Sequence, residues 1–301
     1  MKNDPSITVV VPAHNEAELL PTVLDSLAAQ TLPKTLYSVI VVDNNSTDNT
    51  WEVVREYESR LQVRYIFEPQ LGVSHAMNTG YRTAETDYVA FIDADAKAAP
   101  DWLEQIMAAL ERVHPHFLGG PYFAFYNSPK PAWARDCYFS RIVEVGEQAR
   151  LVTEEKFVLN ATNMICQKRT LEYLGGFTPL GLKGRGMARG DETELMIRAW
   201  REIPDLQVYY DPAIVVYHLV RSKALSIRYW LRWAFNTGRR GSEVWHEPPR
   251  GFINSVVGVG WHGSNILLKA TIGGLIRDRK QFPFMQNYWF ERIVSHFYKL
   301  G

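Results

Sequence analysis

The chain has 301 residues, 46% of them apolar and 22% charged, with a formal net charge of zero. That is the composition of one large or two small globular domains, and it excludes a disordered or fibrous chain. Two cysteines, Cys137 and Cys166, are too few for a disulfide framework or a cysteine zinc site and suit a reducing compartment.

In chain order, residues 7–11 are a short β-branched run closed by Pro12 and predict a first strand. Leu19, Leu20, Val23, Leu24, Leu27 and Ala28 then repeat at helical spacing, with Pro21 in the first turn, where a missing N–H does least harm. A second strand is expected over 38–42, ending at Asp43, and residues 44–48 bring loop and helix-cap chemistry ahead of a helix over 50–57. Residues 64–67 and 88–92 predict a third and a fourth strand, with a helix over 74–83 between them. Strands alternating with helices imply an α/β fold with a mostly parallel sheet flanked by helices. Beyond residue 100 the pattern loosens. A helix is expected over 101–113, strands over 117–126 and 157–166, a helix over 191–200 and a strand within 208–217. From residue 226 onward, helical stretches are broken by Gly and Pro, as at Pro248-Pro249-Arg250-Gly251.

The neutral total conceals an asymmetry. Residues 221–301 carry 13 Lys and Arg against 4 Asp and Glu, a net of +9, and five of the nine tryptophans. Residues 1–220 carry the balancing −9. Two domains with different jobs are therefore expected, one over 1–220 and a helical, basic, Trp-rich extension over 221–301. No run of about 20 residues lacks strongly polar groups, so no membrane span is predicted. The first six residues show no signal-peptide pattern, and the expected location is cytoplasmic. Basic residues beside tryptophans suit peripheral contact with an anionic membrane on its cytoplasmic face, or else helices that only complete a core.

In an open parallel sheet, ligands bind beyond the carboxyl ends of the strands. Strand one delivers Pro12, Ala13, His14, Asn15 and Glu16 there, strand two Asp43, and strand four Asp93-Ala94-Asp95. Singly, Asp43 could be a turn former and Glu16 a first-turn acid. Together, carboxylates on one edge call for a cation or a hydrogen-bonding ligand between them. Two carboxylates two residues apart can face one hard divalent ion, Mg²⁺ or Mn²⁺.

These segments, in this order, resemble the signatures of family-2 glycosyltransferases with the GT-A fold, a nucleotide-diphospho-sugar transferase fold related to the Rossmann fold. The stretch Gly72-Val73-Ser74-His75-Ala76-Met77-Asn78-Thr79-Gly80 resembles the family's small-residue segment. Asn163-Met164, Gly175-Gly176-Phe177 and Gly190-Asp191-Glu192-Thr193-Glu194-Leu195 resemble its acceptor-side motifs. The resemblance spans about residues 5–220. It implies an inverting enzyme that moves one sugar from a nucleotide-sugar donor to a hydroxyl acceptor, either a saccharide or a lipid-linked one, in envelope or exopolysaccharide synthesis.

The resemblance also implies roles. Pro12, Ala13, Asn15, Glu16 and Asn78 would frame the donor, and Asp43 would accept a hydrogen bond from the base. Asp93 would meet the ribose or the metal, and Asp95 would ligate the metal. His218, after the last expected strand, would join it, unless it is only a strand-end histidine. The family places an acidic pair with Asp second at the general base. Here the order is Asp191-Glu192, which puts Glu192 in the base position with Asp191 as its rival. Processive members carry Q-x-x-R-W, whereas this chain reads Tyr229-Trp230-Leu231-Arg232-Trp233, which favours single-sugar addition. Two other readings stand beside this one. A nucleotidyltransferase would show a Gly-rich loop after strand one, but no glycine precedes Gly72. A non-catalytic nucleotide- or sugar-binding module would not need the acidic pair. No motif supports a nucleic-acid partner.

Overall fold

The structure is a computed structural model, and it describes residues 7–131, 134–140, 148–154, 157–179, 191–226 and 228–232. Residues 1–125 and 140–219 form one compact unit, and residues 126–139 and 220–301 a second.

The first unit is built on an eight-stranded sheet. Its strands are β1 (Ile7–Ala13), β2 (Tyr37–Asp43), β3 (Val63–Phe67), β4 (Tyr88–Phe91), β6 (Phe117–Gly119), β8 (Arg150–Val152), β9 (Met164–Gln167) and β10 (Val208–Tyr210). Their order is β3-β2-β1-β4-β9-β6-β10-β8. β3, β2, β1 and β4 are mutually parallel, β9 runs against both β4 and β6, and β10 is parallel to β6 and antiparallel to β8. Six of these eight strands therefore share a direction. The expected mostly parallel α/β sheet is the sheet observed.

Its apolar runs are buried on both faces. Val9, Val11, Val39, Val41 and Ala90 pack into one core with α1 (Leu20–Ala28), α2 (Thr50–Glu56) and α4 (Trp102–Val113). Val10, Ile40, Val42, Val89 and Phe91 pack into the other with α3 (Val73–Thr83), α5 (Lys168–Tyr173) and α6 (Asp191–Glu202). Successive side chains go to opposite faces, so a continuous β-branched run is what a sheet covered on both sides requires. Pro12 fits because β1 pairs with β4 only as far as Val10↔Phe91, so its missing N–H breaks no bond in that ladder.

A second sheet has the order β5-β11-β7, with β5 (Ala96–Ala98), β7 (Tyr122–Phe125) and β11 (Val216–Leu219). Each of its strands follows directly on a strand of the first sheet: β5 on β4, β7 on β6, β11 on β10. The single strands expected over 117–126 and 208–217 are thus each divided between two sheets. The breaks fall at Gly120-Pro121 and Asp211-Pro212, where proline withholds a ladder donor. A Cβ on Gly120 would collide with the Ile214 carbonyl oxygen, so only glycine lets the two crossings approach so closely. The strand expected over 157–166 forms only from Met164, after a turn in which the Asn160 side chain accepts the Thr162 N–H at 3.1 Å. Strands β5 and β8, three residues each, and the six-residue α5 are too short to show a period in sequence.

Asn163 holds the crossings together. It is fully buried, its Nδ2 donates to the carbonyls of Pro121 (2.9 Å) and Ile214 (2.8 Å), and its Oδ1 accepts the Trp102 indole N–H at 2.9 Å.

In the second unit, Tyr126 Oη and Lys130 Nζ both donate to Asp136 Oδ1 at 2.7 Å, and Trp230 meets Phe139 edge-on at 5.4 Å. The helical tail expected beyond residue 232 and the Gly- and Arg-bearing segment 184–189 lie outside the described residues. Among the described residues no helix is long and apolar enough to cross a membrane.

Asn163→Ala would leave the Ile214 carbonyl and the Trp102 indole N–H without their Asn163 partner, at about 1–3 kcal/mol each before relaxation, while the Pro121 carbonyl would keep the Val216 N–H. The expected loss is about 3 kcal/mol of unfolding free energy in urea titration. A loss below about 1 kcal/mol would show that the crossings do not depend on this side chain.

Candidate functional site

The carboxyl edge of the parallel strands collects the polar residues. After β4 the chain turns tightly, with Ala96 N–H donating to the Asp93 carbonyl at 3.0 Å, and Ala94 between the two acids is buried. β11 then lies antiparallel to β5 with His218 opposite Ala96, and Leu219 N–H donates to the Asp95 carbonyl at 2.9 Å. Backbone pairing thereby brings the imidazole to the acids. His218 Nε2 is 3.4 Å from Asp93 Oδ2 and 3.3 Å from Asp95 Oδ1, and one ligand atom from each of the three lies within 4.8 Å of the others.

This donor set fits a hard or borderline divalent ion. It offers two carboxylate oxygens and one imidazole nitrogen, and metal–ligand bonds of about 2.1 Å put adjacent octahedral ligands about 3 Å apart. The observed 3.3 and 3.4 Å are close to that spacing. Asp93 is the most open of the three at 36% side-chain exposure, against 11% for Asp95 and 15% for His218.

Two loops beside it, after β1 and β2, are knitted together. Ala13 is opposite Asp43 in the register, and Asn44 N–H donates to the Ala13 carbonyl at 2.7 Å. His14 Nδ1 is 2.7 Å from the Asn44 carbonyl, which can only accept, so Nδ1 carries the proton. Nε2 is then the acceptor for Asn15 Nδ2 at 3.2 Å. Asn15 has φ 53°, a left-handed conformation that asparagine tolerates. It donates its N–H to Ser46 Oγ (2.8 Å) and accepts the Thr47 N–H at Oδ1 (2.8 Å). Glu16 closes the loop with its carbonyl, which accepts the N–H groups of Leu19 and Leu20 at 2.9 Å.

Asp43 is buried. Its Oδ1 accepts the Ser46 N–H at 2.9 Å and its Oδ2 the Tyr65 hydroxyl at 2.6 Å. Burial first, and the neighbouring Asp43 carboxylate second, push the Tyr65 phenol well above its ordinary range, so it stays a proton donor. Burial also raises Asp48, but hydrogen bonds from Thr50 and from the Ala17 N–H outweigh it and hold that carboxyl below its usual range. Asn44, also buried, donates to the Gln70 carbonyl (2.6 Å) and accepts the Gly72 N–H (2.7 Å), which ties the loop after β3 to the end of β2.

The acidic pair opens α6. Asp191 is buried, with its Oδ2 accepting the Ser74 hydroxyl of α3, while Glu192 is half-buried. Arg198, two turns on, pairs with Glu194 at 2.8 Å and donates to the carbonyls of Leu174 and Gly176. Asn78 commits its amide to both sides of one residue, donating to the Phe177 carbonyl and accepting the Phe177 N–H, each at 2.8 Å. It thereby positions the turn at Gly176, whose φ of 81° and closeness to Asn78 and Tyr81 leave no room for a side chain.

The structure therefore brings Asp93, Asp95 and His218 into one cluster, and sets Pro12, Ala13 and Asp43 at the adjoining ends of β1 and β2 with Asn15 and Glu16 in the loop that follows β1. Asn44, Ser74 and Asn163 lie in segments that resemble the family's motifs and Tyr65 in an expected strand, but the sequence assigned none of them a role. Each acts through a partner 20 or more residues away, and nothing local marks that.

A family model described as glycosyl transferase family 2 matches residues 8–174. Validoxylamine A glucosyltransferase of Streptomyces hygroscopicus subsp. jinggangensis is 41% identical over 107 residues, 35% of this chain and 25% of that protein. Glycosyltransferase AglE of Haloferax volcanii is 28% identical over 176 residues, 58% of this chain and 56% of that protein. The matches thus span between about a quarter and somewhat over half of these curated relatives. Among solved structures, the mannosyltransferase PcManGT from Pyrobaculum calidifontis, in complex with GDP-Man and Mn²⁺, aligns with a TM-score of 0.63 at 20% identity, over 97% of this chain and 87% of that one. S. aureus TarS 1–349 in complex with UDP aligns with a TM-score of 0.59 at 18% identity, over 96% and 90%. At these identities the likeness is one of fold, and it is the GT-A fold.

Proposed function

The chain belongs to glycosyl transferase family 2, and on that footing we propose that it transfers a single sugar from a nucleotide-sugar to a hydroxyl acceptor, with inversion, in glycan synthesis. The observation that carries this reading is the meeting of Asp93, Asp95 and His218 at the ligand-binding edge of the parallel sheet. In it, Asp95, Asp93 and His218 hold Mn²⁺ or Mg²⁺. When bound, that ion supplies Lewis-acid neutralisation of the charge on the departing nucleoside diphosphate.

The chain's own groups do the rest. Pro12, Ala13, Asn15 and Glu16 line the nucleoside, and Asp43 accepts from the base through lone pairs beyond those used by Ser46 and Tyr65. Glu192 takes the acceptor hydroxyl proton as the new C–O bond forms and the diphosphate departs with its bonding electrons. Glu192 is favoured over Asp191 because Asp191 is buried and held by Ser74, whereas Glu192 is more exposed on the same helical turn. Nucleotidyl transfer is the weaker reading, since no Gly-rich phosphate loop follows β1.

Calorimetry with UDP and GDP, with and without Mn²⁺, tests the metal site. Asp95→Ala is expected to lose Mn²⁺-dependent diphosphate binding with its circular dichroism unchanged. Equal affinity and equal Mn²⁺ dependence in the variant would remove Asp95 from the metal.

Glu192→Gln keeps the size and removes the proton acceptor. Sugar transfer is expected to fall by at least about 10²-fold while donor binding barely changes. Asp191→Asn should retain more turnover, and the reverse ranking would move the base to Asp191.

We extend the proposal to a cytoplasmic location with reversible membrane contact, motivated by the +9 balance and five tryptophans of residues 221–301. Each basic group near an anionic surface contributes about 1 kcal/mol, screened by salt. The protein should sediment with phosphatidylserine vesicles at low salt and be partly released at high salt. Folded protein that ignores such vesicles at low salt would rule the contact out.

A further inference from the structure

The first turn of α6 carries the acidic pair, yet what orients that turn comes from α3. Ser74 and Asn78 lie one helical turn apart on α3, so they share a face, and they are 1% and 6% exposed. Asn78 grips the backbone of Phe177 from both sides, and the Ser74 hydroxyl donates to Asp191 Oδ2. One face of α3 therefore holds the chain at residue 177 and again at residue 191.

α3 is itself anchored to the donor side. Gly72, at its N-cap, donates to Asn44 Oδ1 at 2.7 Å, and Asn44 directly follows Asp43 on β2. A line of hydrogen bonds and one helical turn thus runs from the end of β2 through Asn44, Gly72 and Ser74 to Asp191.

We infer that Ser74 is a positioning residue for sugar transfer: its hydroxyl fixes Asp191, and through the first turn of α6 it aims the Glu192 carboxylate. The inference rests on the reading of Glu192 as the base. An acid at a helix N-terminus is favoured by the helix dipole alone, but the dipole does not set the direction of its side chain. A hydroxyl donating to a carboxylate is a short, strong, directional bond, and here it comes from a different element. Glu192 is bonded covalently to the residue so held. A proton acceptor must sit within about 3 Å of its proton, so a small rotation of that turn is felt in the chemical step and hardly in donor binding.

The experiment is steady-state donor turnover with Mn²⁺, read as UDP release from UDP-N-acetylglucosamine or GDP release from GDP-mannose, with water as the acceptor. Water needs the same proton acceptor as a sugar hydroxyl. Ser74→Ala is expected to lower kcat about tenfold with donor KM unchanged, a fraction of the loss that a misplaced catalytic group causes. Ser74→Thr, which keeps the hydroxyl, should restore most of it. If Ser74→Ala does not fold, Ser74→Cys, nearly isosteric and a weaker donor, replaces it with the same expected split.

A folded Ser74 variant with unchanged kcat would overturn the inference. So would kcat and KM moving together, or a threonine that fails to rescue. Glu192→Gln run in parallel separates the two claims. If it is inactive while Ser74→Ala is normal, only the positioning role fails. If it turns over normally, Glu192 is not the base.

Discussion

The rest of the site depends on the double crossing held by Asn163. At the carboxyl edge of the main sheet, β6 and β10 both leave it side by side to become β7 and β11. The chain must then satisfy the Ile214 carbonyl, which no strand ladder reaches, and the Pro121 carbonyl, which the β7–β11 ladder meets only through the Val216 N–H at 3.3 Å. One buried carboxamide meets both, and the Trp102 indole meets the carboxamide in turn. An unmet polar group in such a place is costly, which is why the solution takes this form. Gly120 is the steric counterpart, since any side chain there would strike the Ile214 carbonyl.

The position of His218 follows from that crossing. β11 can pair with β5 only because it has been carried out of the main sheet beside β7, and the pairing puts His218 opposite Ala96, one residue past Asp95. The imidazole reaches the two acids by backbone register, with Leu219 bonded to the Asp95 carbonyl as the final link. Three groups that could ligate one ion thereby form a cluster, Asp93 and Asp95 from the tight turn between β4 and β5 and His218 from β11. A turn pinned between paired strands is held more firmly than a free loop, which suits a cluster that gathers two carboxylates.

The proposed donor side is organised differently, by side chains bonding to backbone across two loops. Asn15 spans to Ser46 and Thr47, Asp48 to Ala17, and His14 to Asn44. Asn44 extends the network to the loop after β3, and α3 extends it to α6. The opposite ends of the proposed reaction, nucleoside and proton acceptor, are thus connected through short polar contacts and one helix rather than through the sheet.

Much of this was legible in the residues themselves. The β-branched runs before Pro12, Asp43 and Asp93 could only be strands buried on both faces. In a parallel sheet such strands send their next residues to one edge, so Asn15, Glu16, Asp43, Asp93 and Asp95 could be grouped without coordinates. The ordered motifs around them carried the resemblance to the family. The residues themselves showed His218 only as a residue after a strand, and its place beside the acids was an expectation of the family resemblance. Its closeness to Asp95 depends on which strand β11 pairs with, and pairing is a non-local choice. The division of 117–126 and 208–217 between two sheets was hidden because three-residue strands have no period and a glycine in sequence does not say which backbone approaches it. Asn44, Ser74, Asn78 and Asn163 look alike in sequence, small polar residues with nothing local to set them apart. Only the tertiary structure decides which carbonyl or carboxylate each one meets, since a buried hydrogen bond is defined by its partner and those partners lie between 26 and 117 residues away.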